Sequence, residues 1–178
     1  MTENLAEVAS RREARLVDLA TKFKTEDSII RKMEQARAYN PDISDRRLKR
    51  RVFDALRYTM MCPAERYSGT VKSALAELRE KGYEFEEKDI RNYWPKHELY
   101  KGINVTLRVE DTGDVFELQF HTDESWEAKN QAHPLYEESR LQETPEARRE
   151  ELERQMIAVF GRIRTPPKVE DIGRVVEK

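Results

Sequence analysis

The sequence predicts an α+β domain built on a mixed, mainly antiparallel sheet of four to five strands flanked by helices. Three observations carry this reading. Apolar residues recur at helical spacing towards both ends of the chain, two arms of strict alternation meet at Asp111-Thr112-Gly113-Asp114, and β-forming and aromatic residues crowd residues 52–62. In chain order, the first forty residues read as helix, marked by Leu5, Val8, Leu16, Leu19 and Ala20, with a break near Thr25-Glu26-Asp27. A second helix then runs over about 28–37 with Ile29, Ile30 and Met33 on its apolar side; Thr25 or Asp27 caps it and Asn40-Pro41-Asp42 ends it. Residues 52–62 form a strand closed by Pro63. Residues 65–81 form an amphipathic helix on Val71, Leu75 and Leu78, stopped by Gly82. A strand over 83–92, a loop over 93–101 and the hairpin follow, then helices over 125–140 and 145–161, a Pro166-Pro167 breaker and a short tail.

At 178 residues the chain has the length of one domain, and 38% apolar residues suffice for one compact core, which excludes two large domains. No apolar run approaches the ~20 residues of a membrane helix. Met1-Thr2-Glu3-Asn4 lacks the basic-then-apolar start of a secretory signal, so neither membrane insertion nor Sec export is expected. The single cysteine, Cys62, has no internal disulfide partner and reads as a buried thiol, and three scattered histidines offer no structural-zinc spacing. A reducing compartment is the natural reading. With 33 Lys+Arg against 35 Asp+Glu, the net charge of -2 argues against a protein whose whole task is to coat nucleic acid. The run Arg46-Arg47-Leu48-Lys49-Arg50-Arg51 is ordinarily a solvated face and is the best local candidate for a nucleic-acid contact.

Alternation in the hairpin turns Ile103, Val105, Leu107 and Val109, with Phe116, Leu118 and Phe120, to the core. Glu117, Gln119 and His121 share the opposite face with Tyr100, Asn104 and Arg108. One carboxylate on a strand face is usually only solvated, but this company of an amide, an aromatic and a cation reads as a binding cleft. Asp54 interrupts an apolar strand, and a buried acid there needs a partner. Two partners suit it, Arg57 in an ion pair or a magnesium ion shared with substrate phosphates. Lys22, Lys24, Arg31 and Lys32 surround Ser28 at the start of the second helix, a setting that is either a charged surface or a polyphosphate site. Trp94 and Trp126 read as packing residues, and residues 133–138 as structural ones able to close the site.

Taken in order, these motifs resemble the RelA/SpoT nucleotidyltransferase family, synthetases that move a pyrophosphate from ATP to a ribose 3′-hydroxyl. The similarity spans roughly residues 22–133. The family's basic element before a Ser-Ile-x-x-Lys-Met helix is similar to Lys22, Lys24, Ser28, Ile29, Lys32 and Met33, and its strand aspartate to Asp54. Its Pro-Lys, three residues, Tyr and closing Ser-Leu-His resemble Pro95-Lys96-His97-Glu98-Leu99-Tyr100-Lys101-Gly102-Ile103-Asn104. Its Glu-Val-Gln-Ile-Arg-Thr strand resembles Glu117-Leu118-Gln119-Phe120-His121-Thr122. The resemblance implies a nucleotidyltransferase-like synthetase fold in one domain over residues 1–178, with a core at about 22–140 and helical extensions on both sides. It implies ATP held by Lys22, Lys24, Ser28, Lys32 and Arg57, and Mg²⁺ held by Asp54 with Glu117. It also implies an acceptor base stacked on Tyr100, with Lys96, Asn104, Gln119 and His121 on the acceptor side, and Glu117 as the general base.

The chain departs from the family at Asn104 for histidine, Gly102 for serine, His121 for arginine and Lys22 for the frequent arginine, and Arg57 lies closer to Asp54 than usual. These departures gather on the acceptor side and suggest an altered substrate, the product being an alarmone or a toxic analogue such as (p)ppGpp or (p)ppApp. The expected function is Mg-dependent pyrophosphate transfer to a purine nucleotide, toxin-like, with no hydrolase His-Asp signature to reverse it. Alternatives are pyrophosphorylation of tRNA 3′ ends, or an inactive module that binds nucleotide or a partner. The toxin-like reading implies action in a bacterial cytoplasm, delivery there as a secreted effector domain, and a neutralising immunity or antitoxin protein.

Overall fold

The computed structural model describes residues 1–44 and 55–177; Asp54, the Arg46 to Arg51 cluster and the first part of the strand expected over 52–62 lie outside the described residues. Helix α1 (Thr2–Ser10) buries Leu5, Val8 and Ala9. It ends in a turn in which Glu13 adopts φ 54°, after which the chain enters strand β1 (Arg15–Val17) and a 3-10 turn over Leu19–Thr21. The continuous helix expected there is corrected. Of the five apolar marks only Leu5 and Val8 lie on an α-helix, and a three-residue edge strand is too short to display its own period. Helix α2 (Glu26–Tyr39) starts where expected, Thr25 Oγ1 accepting from the Ser28 N–H at 3.4 Å.

Strand β2 (Arg57–Met61), helix α3 (Tyr67–Glu80) and the left-handed Gly82 (φ 80°) follow the expected pattern. The strand expected over 83–92 is two short ones, β3 (Tyr83–Glu84) and β4 (Ile90–Asn92). Between them Glu86 and Asp89 cap a 3-10 turn by exchanging side-chain and backbone hydrogen bonds, and this local alternative outcompetes a continuous ladder. The hairpin is β5 (Ile103–Val109) and β6 (Val115–His121). Helices α4 (Asp123–Ser139) and α5 (Glu146–Phe160) come next, and β7 (Arg174–Val175) forms in the segment expected to be tail.

Among the described residues the sheet has seven strands rather than four or five, in the order β1-β2-β6-β5-β4-β7 with β3 also on β5. The added strands are the two- and three-residue ones. Pairs β2/β6 and β4/β7 are parallel and the rest antiparallel, so the sheet is mixed and mainly antiparallel. At β7, Gly173 (φ 59°) lets the backbone close on β4, where a Cβ would meet Ile90 Cγ2 at 2.4 Å. Helices α1 and α3 cover one face of the sheet, burying Met60, Val71, Leu78, Ile103, Leu107, Phe116 and Phe120 completely. Each such side chain contributes about 1.5–3 kcal/mol. Trp94 is part of this core, as expected, and burial pushes the Cys62 thiol up to about 12. On the other face α4 and α5 pack together through Ala128, Ala132, Met156 and Phe160. No helix among the described residues is long and apolar enough to cross a membrane.

Candidate active site

The polar face of the sheet lies beneath α4 and α5. Alternation places Glu117, Gln119 and His121 on it as expected, yet they are 4%, 3% and 0% exposed, so the face is a buried polar layer rather than an open one. A buried carboxylate without partners would be prohibitively costly, and register supplies them. The parallel β2/β6 pair sets Arg57 opposite Glu117, and β5 sets Thr106 opposite Glu117 and Asn104 opposite Gln119. Arg57 Nε donates to Glu117 Oε1 at 3.2 Å, Arg91 Nη2 to Oε2 at 2.7 Å, and Gln119 Nε2 to Oε1 at 2.6 Å. Lys129 Nζ, from α4, donates to Gln119 Oε1 at 2.8 Å.

This layer floors a cavity of about 770 Å³. Its opposite wall is α2, brought there by an antiparallel bridge between Phe23 and Leu56; the Lys24 N–H donates to Ala55 O and the Arg57 N–H to Lys22 O. Lys24, Ser28, Lys32 and Gln35 then line the cavity from one side of the α2 region. The cavity thus collects Lys24, Ser28, Lys32, Arg57, Tyr100, Asn104, Gln119 and Glu117 from the residues singled out in the sequence. Three expected ligands stand elsewhere. Lys22 Nζ lies 5.5 Å from the Phe23 ring centroid and 5.8 Å from that of Tyr58, and Lys96 pairs with Glu177 at the surface. His121 is sealed behind Tyr100.

Tyr100 Oη donates to Asn104 Oδ1 at 2.9 Å and lies 2.9 Å from His121 Nε2, whose ring Nδ1 lies 2.9 Å from Ser125 Oγ. Tyr100, Asn104, His121 and Ser125 thus form one buried chain of polar contacts. Burial holds the His121 pKa well below its ordinary value, so the ring is neutral, and burial raises that of Tyr100. Gly102 belongs to the same cluster: a Cβ there would meet His121 Cε1 at 3.0 Å and Tyr100 Oη at 3.2 Å. Two departures from the family pattern, Gly102 and His121, are therefore packed on one another. Gly102→Ala is expected to cost about 1–3 kcal/mol through overpacking, read as a lower Tm.

Arg91, Lys129, Tyr93 and Arg140 also line the cavity and were not singled out from sequence. The signal for α4 was present: Trp126, Lys129, His133, Tyr136 and Arg140 recur at steps of three and four, and His133, Tyr136 and Glu137 do form cavity wall. Trp126 carries Lys129, its ring centroid 4.3 Å from Nζ. Burial first, and then the charge of Arg57, push the Lys129 pKa down to about 7. The unfolded chain holds this proton up to about pH 10.4, so stability from this group rises with pH from about 7 to 10, and the penalty is complete below 7. Lys129→Met is expected to flatten that rise, measured as denaturation midpoints across the window.

Among the described residues no group of three His, Cys, Asp or Glu could hold a metal. Glu117, the expected companion of Asp54, has both carboxylate oxygens engaged, two of its three partners being guanidiniums, and would have to exchange one of them to take either a magnesium ion or a proton.

No protein-family model matches the sequence, and no curated protein does. Solved structures do match the fold. Small alarmone synthetase 1 from Bacillus subtilis, bound to its product pppGpp, superposes with a TM-score of 0.57 at 18% identity, covering 88% of this chain and 81% of that one. Small alarmone synthetase 2 from the same organism gives 0.55 at 11% identity, covering 89% and 83%. A GTP pyrophosphokinase family protein from Streptococcus pneumoniae gives 0.52 at 15% identity, covering 90% and 79%. A sheet whose polar face is closed over by helices around Glu117 is, in this chain, the fold of the small alarmone synthetases.

Proposed function

We propose that the chain transfers a pyrophosphoryl group from ATP to the 3′-hydroxyl of a purine nucleotide. The observation that carries this is Glu117, a carboxylate 4% exposed, facing a cavity whose other charged walls are mostly cationic: Lys24, Lys32, Arg57, Arg91, Lys129 and Arg140, with Glu137 as the second acid. Such a site suits polyanionic substrates, and Glu117 is the carboxylate placed to receive a proton among them. ATP phosphates lie against Lys24, Ser28, Lys32 and Arg57, and the acceptor lies on the Tyr93 and Tyr100 side. The 3′-oxygen attacks the β-phosphorus and its proton passes to Glu117. The bond from the β-phosphorus to the oxygen bridging it to the α-phosphorus breaks, and AMP leaves with that oxygen. Arg57 touches Glu117 and lines the same cavity as Lys24, so its charge neutralises the transferred phosphates.

The Tyr100, Asn104, His121 and Gly102 cluster, which departs from the family pattern, supports an altered acceptor, and with it the toxin-like reading. The experiment is incubation of the chain with Mg²⁺ and γ-labelled ATP, offering GDP, GTP, AMP, ADP and tRNA separately. Label on a mononucleotide with release of AMP is expected. Label on tRNA alone would move the acceptor to RNA, and ATP binding without transfer to any acceptor would overturn the enzyme in favour of a binding module.

A further inference from the structure

We infer that Lys129 is a positioning residue for the transfer, fixing the sense of the Gln119 side-chain amide and, through it, the carboxylate of Glu117. The inference rests on the reading of Glu117 as general base. A side-chain amide has two orientations of nearly equal shape, and its surroundings choose between them. Here Lys129 Nζ meets Oε1 at 2.8 Å and Glu117 Oε1 meets Nε2 at 2.6 Å, so the carboxylate contact is charge-assisted, and the lysine contact is so wherever Lys129 carries its proton. Reversed, the amide would press its oxygen on the carboxylate and its NH₂ on the ammonium. Gln119 is 3% exposed, which leaves water little access to compensate for either error.

Lys129 is itself held in place. Its ammonium lies against the Trp126 ring, and the start of α4 is locked by a reciprocal pair of hydrogen bonds between Thr122 and Ser125. Arg57 and Arg91 neutralise Glu117, but neither directs its Oε1 along β6 as Gln119 does. Lys129 is thus the anchor of a chain of contacts that ends on the Glu117 carboxylate.

The test is a double-mutant cycle on the full chain, measuring transfer from labelled ATP for Lys129→Met, Gln119→Leu and both together, with Lys129→Arg as the conservative variant. It is paired with the Gln119 side-chain amide resonances of ¹⁵N-labelled protein without nucleotide. Lys129→Met is expected to lower kcat between about ten- and a hundredfold with KM for ATP little changed. The double variant should be no worse than the poorer single one, Lys129→Arg should recover most of kcat, and the Gln119 amide signals should move in Lys129→Met. Unmoved amide signals, an additive cycle or wild-type kcat in Lys129→Met would overturn the inference. A wild-type chain that transfers to no acceptor would instead overturn the pyrophosphokinase reading, and the amide signals would still decide whether Lys129 orients Gln119.

Discussion

Glu117→Gln is expected to lower pyrophosphate transfer by about 10²–10⁴-fold while leaving ATP affinity within a few-fold of wild type. Glutamine keeps the shape of the side chain and loses the oxygen that takes the proton. ATP binding is spared because Lys24, Ser28 and Lys32 belong to the α2 side of the cavity and do not depend on the carboxylate. The local network does change. An amide NH₂ must face either Gln119 Nε2 and Arg57 on one side or Arg91 on the other, a donor against donors, at about 1–3 kcal/mol. The variant is therefore expected to melt lower but to fold, and circular dichroism with an ATP titration separates lost chemistry from lost structure. Full turnover in folded Glu117→Gln would remove the general base from the mechanism.

The second large effect is at Tyr100, whose ring and hydroxyl have different work. Tyr100→Phe keeps the ring against Tyr93 and Phe160 but strips Asn104 Oδ1 and His121 Nε2 of a shared partner, costing about 1–3 kcal/mol. For a chain of this size that corresponds to a Tm lower by about 2–4 °C for each kcal/mol. Tyr100→Ala adds the loss of the ring and is expected to cost about 3–5 kcal/mol and to raise the acceptor KM well above that of Tyr100→Phe. The contrast between the two variants decides what the acceptor meets. If both raise the acceptor KM equally, the hydroxyl rather than the ring is the contact surface.

Alternation alone separated Phe116, Leu118 and Phe120 from Glu117, Gln119 and His121, because a strand's two-residue period is a property of the backbone and needs no knowledge of neighbours. The cap at Thr25, the stop at Gly82 and the hairpin turn were legible for the same reason: each satisfies its own backbone groups within a few residues. Strands of two or three residues, β1, β3 and β7, were not, since they exist only where a neighbouring strand offers its hydrogen bonds.

The candidate site divides along the same line. Glu117, Tyr100, Lys24 and Ser28 stood out by residue type and order, and the sequence by itself determined that an acid, an amide and an imidazole share one strand face. It did not determine that Arg57 and Arg91, 60 and 26 residues away, would both close on Glu117. Nor did it determine that Lys129 would reach Gln119, or that Lys22, Lys96 and His121 would stand outside the cavity. Those outcomes depend on strand register and on helices laid over the sheet. Only the tertiary structure decides them, because burial removes water as a partner and obliges each charge to find another within the fold.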